Sequence, residues 1–315
     1  MSILLAVGGG WDEAPWLARF RDLLPGDELF TPATLRDPSA VSEAIVWKHP
    51  AGLLLRLPNL QGIFSLGAGV DHVFADPELP DKPIVRVVDP DLRDRMSEWV
   101  VMHALLHLRA QKYYDDNQSR RLWREIEDQP PARETRVGIM GLGVLGLDAA
   151  RKLRTLGFEV AGWARSLRSD VGFPTYSGNE GLAEMAARTD ILICLLPLTP
   201  QTRGLLSKSL FAKLARDGRL GGPVLINAGR GGLQVEADVD AALRSGVLKA
   251  ASLDVFETEP LPEKSPLWNA PNLYISPHNS AISTPRSTAA FVAQAIQGHR
   301  RGEVSVGLVD RSRGY

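Results

Sequence analysis

Short apolar runs of strand length alternate along most of the chain with stretches whose apolar residues recur at helical spacing. Brief, continuously apolar strands between helical segments predict parallel sheets joined by helical crossovers. The pattern places strands at 3–7, 44–47, 62–66 and 85–88, with a helix at 11–24, as a first small α/β unit. A long helical pattern then starts near Ser97, read as its cap, and continues through Glu98, Val101, Leu105 and Leu108. Further strands are expected at 137–140, 158–163, 191–196, 224–227, 250–254 and 273–276, with a helix at 147–156 between the first two. A last helix, at about 284–301, is expected to return to the first unit. No internal repeat or low-complexity tract interrupts this order. The fold class is therefore α/β, as two doubly wound parallel-sheet domains, Rossmann-like or flavodoxin-like, with a cleft between them.

The strand at 137–140 runs directly into Gly141-Leu142-Gly143-Val144-Leu145-Gly146, and this G-x-G-x-x-G sits between a strand and a helix. Gly141 allows a tight turn, Gly143 lets a pyrophosphate approach the backbone, and Gly146 lets the helix pack on the sheet. The amides at that helix N-terminus, Val144 and Leu145 among them, face the phosphates. A dinucleotide site usually ends its second strand with an acid that holds the ribose 2′-hydroxyl. Here Trp163 is followed by Ala164, Arg165, Ser166 and, two further on, Arg168. Guanidinium groups suit a 2′-phosphate, so NADP(H) is expected in preference to NAD(H). The alternative is that both arginines are solvated loop cations.

Charge and cysteine content narrow the class. The 315 residues carry 36 Lys plus Arg against 37 Asp plus Glu, a balance that gives no field for nucleic acid or a membrane surface. A small-molecule partner is expected. The one cysteine, Cys194, lies in an apolar run and reads as a buried structural thiol. It suits a reducing compartment. The N-terminal MSILLAVGGG lacks the basic flank of a signal peptide and reads as a first strand, and no apolar run is long enough to span a bilayer. A cytoplasmic protein is expected. His103 and His107 have the i, i+4 spacing of a zinc pair, but Ala104 stands where a metalloprotease has Glu and no third ligand is near, so they read as packing residues and no metal is expected.

Three polar residues follow consecutive strands on the carboxyl side of the second sheet, where open α/β folds bind ligands: Arg230 in NAGRGG, Glu259 in LDVFETEP and His278 after YISP. Reduction of a 2-oxo acid needs a cation for the carboxylate, a proton donor for the carbonyl oxygen and a partner that orients the donor. Arg230 offers the planar fork. Imidazole as a side-chain type titrates near neutrality, and a carboxylate such as Glu259 beside His278 favours its protonated form.

The motifs SLGAGVDH (65–72), MSEWVV (96–101), GLGVLG (141–146), LLPLTPQTRG (195–204), INAGRGG (226–232), LDVFETEPLP (253–262), PLW (266–268) and SPHNSA (276–281) occur in this order over nearly the whole chain. The sequence thereby resembles the D-isomer-specific 2-hydroxyacid dehydrogenases, and most their glyoxylate/hydroxypyruvate reductase branch. The resemblance implies that Arg230 binds substrate, that Glu259 pairs with the acid and base His278, and that Asp254 holds the nicotinamide carboxamide. It implies coenzyme contacts at Leu196, Pro197, Ala228 and His278 as well. It further implies that the amides of Ala68 and Gly69 hold the substrate carboxylate, which the neighbouring glycines make physically reasonable. Residues 1–97 with 285–315 are then the substrate (catalytic) domain and 98–284 the dinucleotide-binding domain. A homodimer is implied too, with the region from Ser97 to Arg124 as a contributor.

Two features depart from the commonest family pattern: Arg165 replaces the acid after the second strand, and Asn279 and Ser280 follow His278 where small apolar residues are usual. Trp47 is a candidate wall that limits substrate size, or else a core residue of its strand. The expected activity is NADPH-dependent reduction of a small 2-oxo acid, glyoxylate or hydroxypyruvate, to the D-2-hydroxy acid. Its rivals are an NAD-dependent dehydrogenase of another 2-hydroxy acid and a nucleotide-sensing binding protein of corepressor type. A chain that stops at Tyr315, soon after its last helix, favours the enzyme over a sensor with a long tail.

Overall fold

The computed structural model describes residues 1–281 and 284–314; Ile282, Ser283 and Tyr315, which fall within the two expected domain segments, lie outside the described residues. The chain divides into two compact units, Met1–Leu92 with Ser283–Tyr315, and Arg93–Ile282.

The first unit runs β1 (Ser2–Val7), α1 (Ala14–Leu23), β2 (Glu28–Phe30), β3 (Val41–Trp47), β4 (Gly62–Ser65), α2 (Asp71–Phe74) and β5 (Ile84–Val85). Among the described residues its sheet has five strands in the order β2-β1-β3-β4-β5, and every pairing is parallel. Successive residues point to opposite faces. Ile3, Leu5, Ile45 and Phe64 thus enter one buried cluster, while Leu4, Ala6, Val46 and Ile63 enter another. That double burial explains why the strands read as continuous apolar runs. Helix α1 starts at Ala14 rather than at Trp11, because Pro15 has no amide to donate and fits only a first turn.

The second unit begins inside α3 (Pro90–Leu108) and continues with α4 (Gln111–Ser119), β6 (Arg136–Met140), α5 (Val144–Thr155), β7 (Glu159–Trp163), β8 (Thr175–Tyr176), α6 (Gly178–Ala187) and β9 (Ile191–Cys194). Then come α7 (Lys208–Phe211), β10 (Val224–Asn227), α8 (Glu236–Ser245), β11 (Ala250–Leu253) and β12 (Leu273–Ile275). The described strands form a seven-stranded parallel sheet ordered β12-β11-β10-β9-β6-β7-β8. Strand order reverses between β6 and β9, and the carboxyl edge at such a switch point is where open sheets of this kind take ligands.

Helix α3 starts at Pro90, so Ser97 is an interior residue and not its cap. The Ser97 hydroxyl instead lies 2.7 Å from the Asp148 carboxylate on α5, with Lys152 bonded to the same oxygen. The first turns of α3 are polar, and Pro90 costs nothing at a position that needs no amide. The final helix α9 (Pro285–Arg300) is capped by Thr284, whose Oγ1 accepts the Ser287 amide at 3.1 Å. It packs on α1 and β4 of the first unit, where Arg300 reaches Asp27 at 2.8 Å and Glu43 at 2.9 Å.

Candidate functional site

The glycine loop joins β6 to α5. Gly141 sits at φ +103, a backbone that side-chain-bearing residues rarely adopt, and Gly146 is so close to it that a Cβ would lie 1.8 Å from the Gly141 carbonyl oxygen. Gly143 differs from both: a Cβ there would meet nothing within 4 Å, and its φ of −79 is ordinary. Folding therefore does not require glycine at 143, whereas close approach of a ligand does. Val144 and Leu145 open α5, whose first amides have no intrahelical acceptors. The loop thus fits a pyrophosphate on this structure's own geometry.

The segment after β7 approaches the same loop. Arg168 donates from Nη1 to the carbonyl of Leu142 at 3.3 Å, so one expected cation lies against the glycine turn. Thr175 on β8 holds its backbone, accepting from the Arg168 amide at 3.2 Å and donating to its carbonyl at 2.8 Å. Ala164 is hydrogen-bonded to Tyr176 on the same strand, and Arg165 and Ser166 lie exposed between these two fixed points. The other expected coenzyme contacts border the switch point. Leu196 and Pro197 follow β9, and Ala228 follows β10 with its amide bonded to Cys194 O at 3.2 Å. Cys194 is buried, and burial pushes its thiol up to about 12, as a structural thiol requires.

The expected catalytic residues converge after β10, β11 and β12. Nδ1 of His278 lies 2.8 Å from Glu259 Oε2, and the other Glu259 oxygen accepts the Phe256 amide at 3.1 Å. An ionised carboxylate only accepts, so Nδ1 carries the proton in this pair and Nε2 is the ring atom that faces outward from it. His278 has φ +52, a left-handed backbone that non-glycine residues hold only where their surroundings impose it. Asp254 imposes it here. This fully buried carboxylate accepts from Ser276 Oγ at 2.6 Å and from the amides of Asn279 and Ser280 at 3.0 Å, and its carbonyl takes the His278 amide at 2.8 Å. Three of about four acceptor positions of the carboxylate are thereby used. Asn279 and Ser280, the departures from the family pattern, supply backbone amides to this grip.

Arg230 donates to Gly229 O at 2.7 Å in the loop between β10 and α8. That loop is bound to the loop bearing Glu259 by a residue the sequence did not single out. The Gln234 amide oxygen accepts from Asn227 Nδ2 at 2.9 Å, and its nitrogen donates to Val255 O at 2.9 Å. Asn227 also reaches Arg230 O at 3.3 Å. Gly231 brings the loops into backbone contact, since a Cβ there would sit 1.9 Å from Phe256. The only sequence signal was a polar side chain between Leu233 and Val235.

In the first unit, Trp47 ends β3, half-buried and stacked on Trp11 at 4.7 Å between ring centres, with His72 at 4.5 Å on a tilted plane. It flanks the Gly67–Gly69 turn: a Cβ on Gly67 would lie 2.5 Å from its ring. Ser65 Oγ accepts the Gly67 amide at 3.1 Å, while the amides of Ala68 and Gly69 carry no hydrogen bond among the described residues. Trp47 thus packs, half-buried, against one apolar cluster of the first unit and lies beside that turn.

His103 and His107 face inward and share one partner. Ser252 Oγ lies 2.7 Å from His103 Nδ1 and 2.8 Å from His107 Nε2. Burial lowers their pKa values to about 4 and about 3, so both are neutral in the fold. No group of three potential metal ligands occurs among the described residues, and no described helix is long and apolar enough to cross a membrane.

Comparison with known proteins agrees with this architecture. Residues 101–280 match the family model described as the NAD binding domain of the D-isomer specific 2-hydroxyacid dehydrogenases. A glyoxylate/hydroxypyruvate reductase A of Yersinia enterocolitica is 38% identical over 285 residues, covering 89% of each chain. The NADPH-dependent glyoxylate/hydroxypyruvate reductase of Sinorhizobium meliloti, solved with NADP and sulfate, superposes with a TM-score of 0.93 at 47% identity, covering 100% of this chain and 99% of that one. A D-isomer specific 2-hydroxyacid dehydrogenase of Xanthobacter autotrophicus, solved with NADPH and MES, gives 0.91 at 36% identity, with the same coverage. This chain belongs to the D-isomer specific 2-hydroxyacid dehydrogenase family, in the branch of the glyoxylate/hydroxypyruvate reductases A.

Proposed function

We propose that this chain reduces a small 2-oxo acid, glyoxylate or hydroxypyruvate, to the D-2-hydroxy acid with NADPH. The observation that carries the reading is the His278–Glu259 pair at 2.8 Å, which commits Nδ1 and leaves Nε2 to serve as proton donor. The glycine loop would hold the pyrophosphate, and Arg165, Ser166 and Arg168 the 2′-phosphate. Leu196, Pro197 and Ala228 would border the nicotinamide, with Asp254 receiving its carboxamide. When bound, NADPH supplies the hydride.

The chain's own groups do the rest. The Arg230 fork binds the substrate carboxylate and polarises the adjacent carbonyl. The amides of Ala68 and Gly69 are further carboxylate donors. The Nε2 proton of His278 passes to the carbonyl oxygen as that oxygen becomes a hydroxyl, and Glu259 stabilises the ring's charge before the transfer and fixes its orientation throughout. Trp47 beside the Gly67–Gly69 turn limits the substrate to a small group on C2. In this reading residues 1–97 with 285–315 form the substrate domain and 98–284 the coenzyme domain. The protein acts as a cytoplasmic homodimer, as the buried lone thiol and the family resemblance suggest.

A panel of 2-oxo acids assayed with NADPH and with NADH tests this. Glyoxylate and hydroxypyruvate should be turned over with NADPH at a kcat/KM at least about tenfold above that with NADH, since a lost guanidinium–phosphate interaction is worth that much. Tight NADPH binding without turnover of any 2-oxo acid would instead make the chain a sensor.

A further inference from the structure

The loop after β7 holds a feature that the coenzyme reading does not use. Arg168 is already paired: Nε donates to Asp170 Oδ1 at 3.1 Å and Nη2 to Oδ2 at 3.2 Å, a two-pronged contact along one edge of the guanidinium. With Nη1 bonded to Leu142 O, three of its five N–H donors are engaged. The arrangement is built rather than loose, because Thr175 clamps both the amide and the carbonyl of Arg168. The hydrogen bonds from Arg168 hold the Asp170 carboxyl below the usual carboxylate range, so it is charged at neutral pH.

We propose that Asp170 is a specificity-determining residue that opposes the 2′-phosphate and so tempers the preference for NADPH over NADH. The proposal rests on the coenzyme reading above. A 2′-phosphate at Arg168 has two routes. It can take the edge that Asp170 occupies, in which case the ion pair must open. It can use the two remaining N–H groups, in which case a carboxylate stays beside a group carrying nearly two negative charges. Both routes weaken NADPH and neither touches NADH, which has only a hydroxyl at that place. The effect on affinity is modest: a unit charge near a dianion in a solvent-exposed loop corresponds to roughly fivefold in binding.

The test is Asp170→Asn, which removes the charge and keeps one of the two oxygens that accept from the guanidinium. Dissociation constants for NADPH and NADH would be measured by fluorescence titration at low and at moderate salt. The expected result is a Kd for NADPH lowered about three- to tenfold at low salt, a smaller gain at higher salt, and a Kd for NADH within about twofold of the parent. An unchanged or raised Kd for NADPH overturns the proposal. Arg168→Ala separates the two levels. If it selectively weakens NADPH while Asp170→Asn changes nothing, the proposal fails and the coenzyme reading stands. If the parent binds NADPH no better than NADH and Arg168→Ala alters neither, both fail.

Discussion

Replacing His103 and His107 together, as His103→Asn with His107→Gln, should flatten the acid limb of the protein's stability profile. Each new amide can keep a hydrogen bond to Ser252, so the change removes titration more than packing. The sign follows from linkage. Both rings have folded pKa values below the ordinary 6.5, at about 4 and about 3. The unfolded chain therefore binds more protons between pH 6.5 and those values. Stability is complete above pH 6.5 and is lost as pH falls toward 4. Each buried group costs close to 1.4 kcal/mol per pH unit inside that window. Integrated from pH 7 to pH 5, the pair costs the parent about 3–4 kcal/mol, a large share of an ordinary domain's stability. Urea unfolding at half-unit pH steps would show it as a falling midpoint at constant slope. The double variant should lose most of that dependence. His49, which burial also lowers despite its contact with Asp76, contributes to what remains, as do the lowered carboxyls of Asp27, Asp76 and Asp148. Parallel profiles for variant and parent would refute the assignment of buried neutral imidazoles.

The glycines of the loop should separate by what they serve. Gly143→Ala has open space around the new Cβ and should unfold within about 0.5 kcal/mol of the parent while its Kd for NADPH rises tenfold or more. Gly146→Ala meets the Gly141 carbonyl and should cost about 1–3 kcal/mol in stability as well as coenzyme affinity; calorimetry with coenzyme titration checks both. Gln234→Leu leaves Val255 O and an Asn227 N–H without their partner, at about 2 kcal/mol, and should lower kcat severalfold with little change in the Kd for NADPH. An equal loss in coenzyme binding would show that Gln234 supports the whole unit and not the two catalytic loops.

What could be read from the chain alone follows from how locally each feature is encoded. Strands buried on both faces announce themselves as apolar runs, and β10 was found at Val224–Asn227 with its true ends. The glycine loop is legible because, within six residues, Gly141 and Gly146 answer demands of the backbone while Gly143 leaves open space beside it. Two-residue β8 carries no periodicity and was missed, and so was β2. The start of α3 was misplaced because its first turns are polar, while the serine that resembled a cap was spoken for by Asp148, 51 positions away. The grip of Asp254 on the His278 loop, the Gln234 link and the Ser252 bond to two histidines join residues distant in sequence. They exist only once the sheet has formed. The Arg168–Asp170 pair spans two residues, yet the sequence cannot say that Leu142 and Thr175 hold the arginine at the glycine turn.

The most direct test of the account separates coenzyme binding from chemistry in His278→Ala. The variant should bind NADPH as the parent does, while glyoxylate and hydroxypyruvate turnover falls by roughly a hundredfold or more. Turnover at the parent's rate would contradict the assignment of His278 as the group that protonates the substrate.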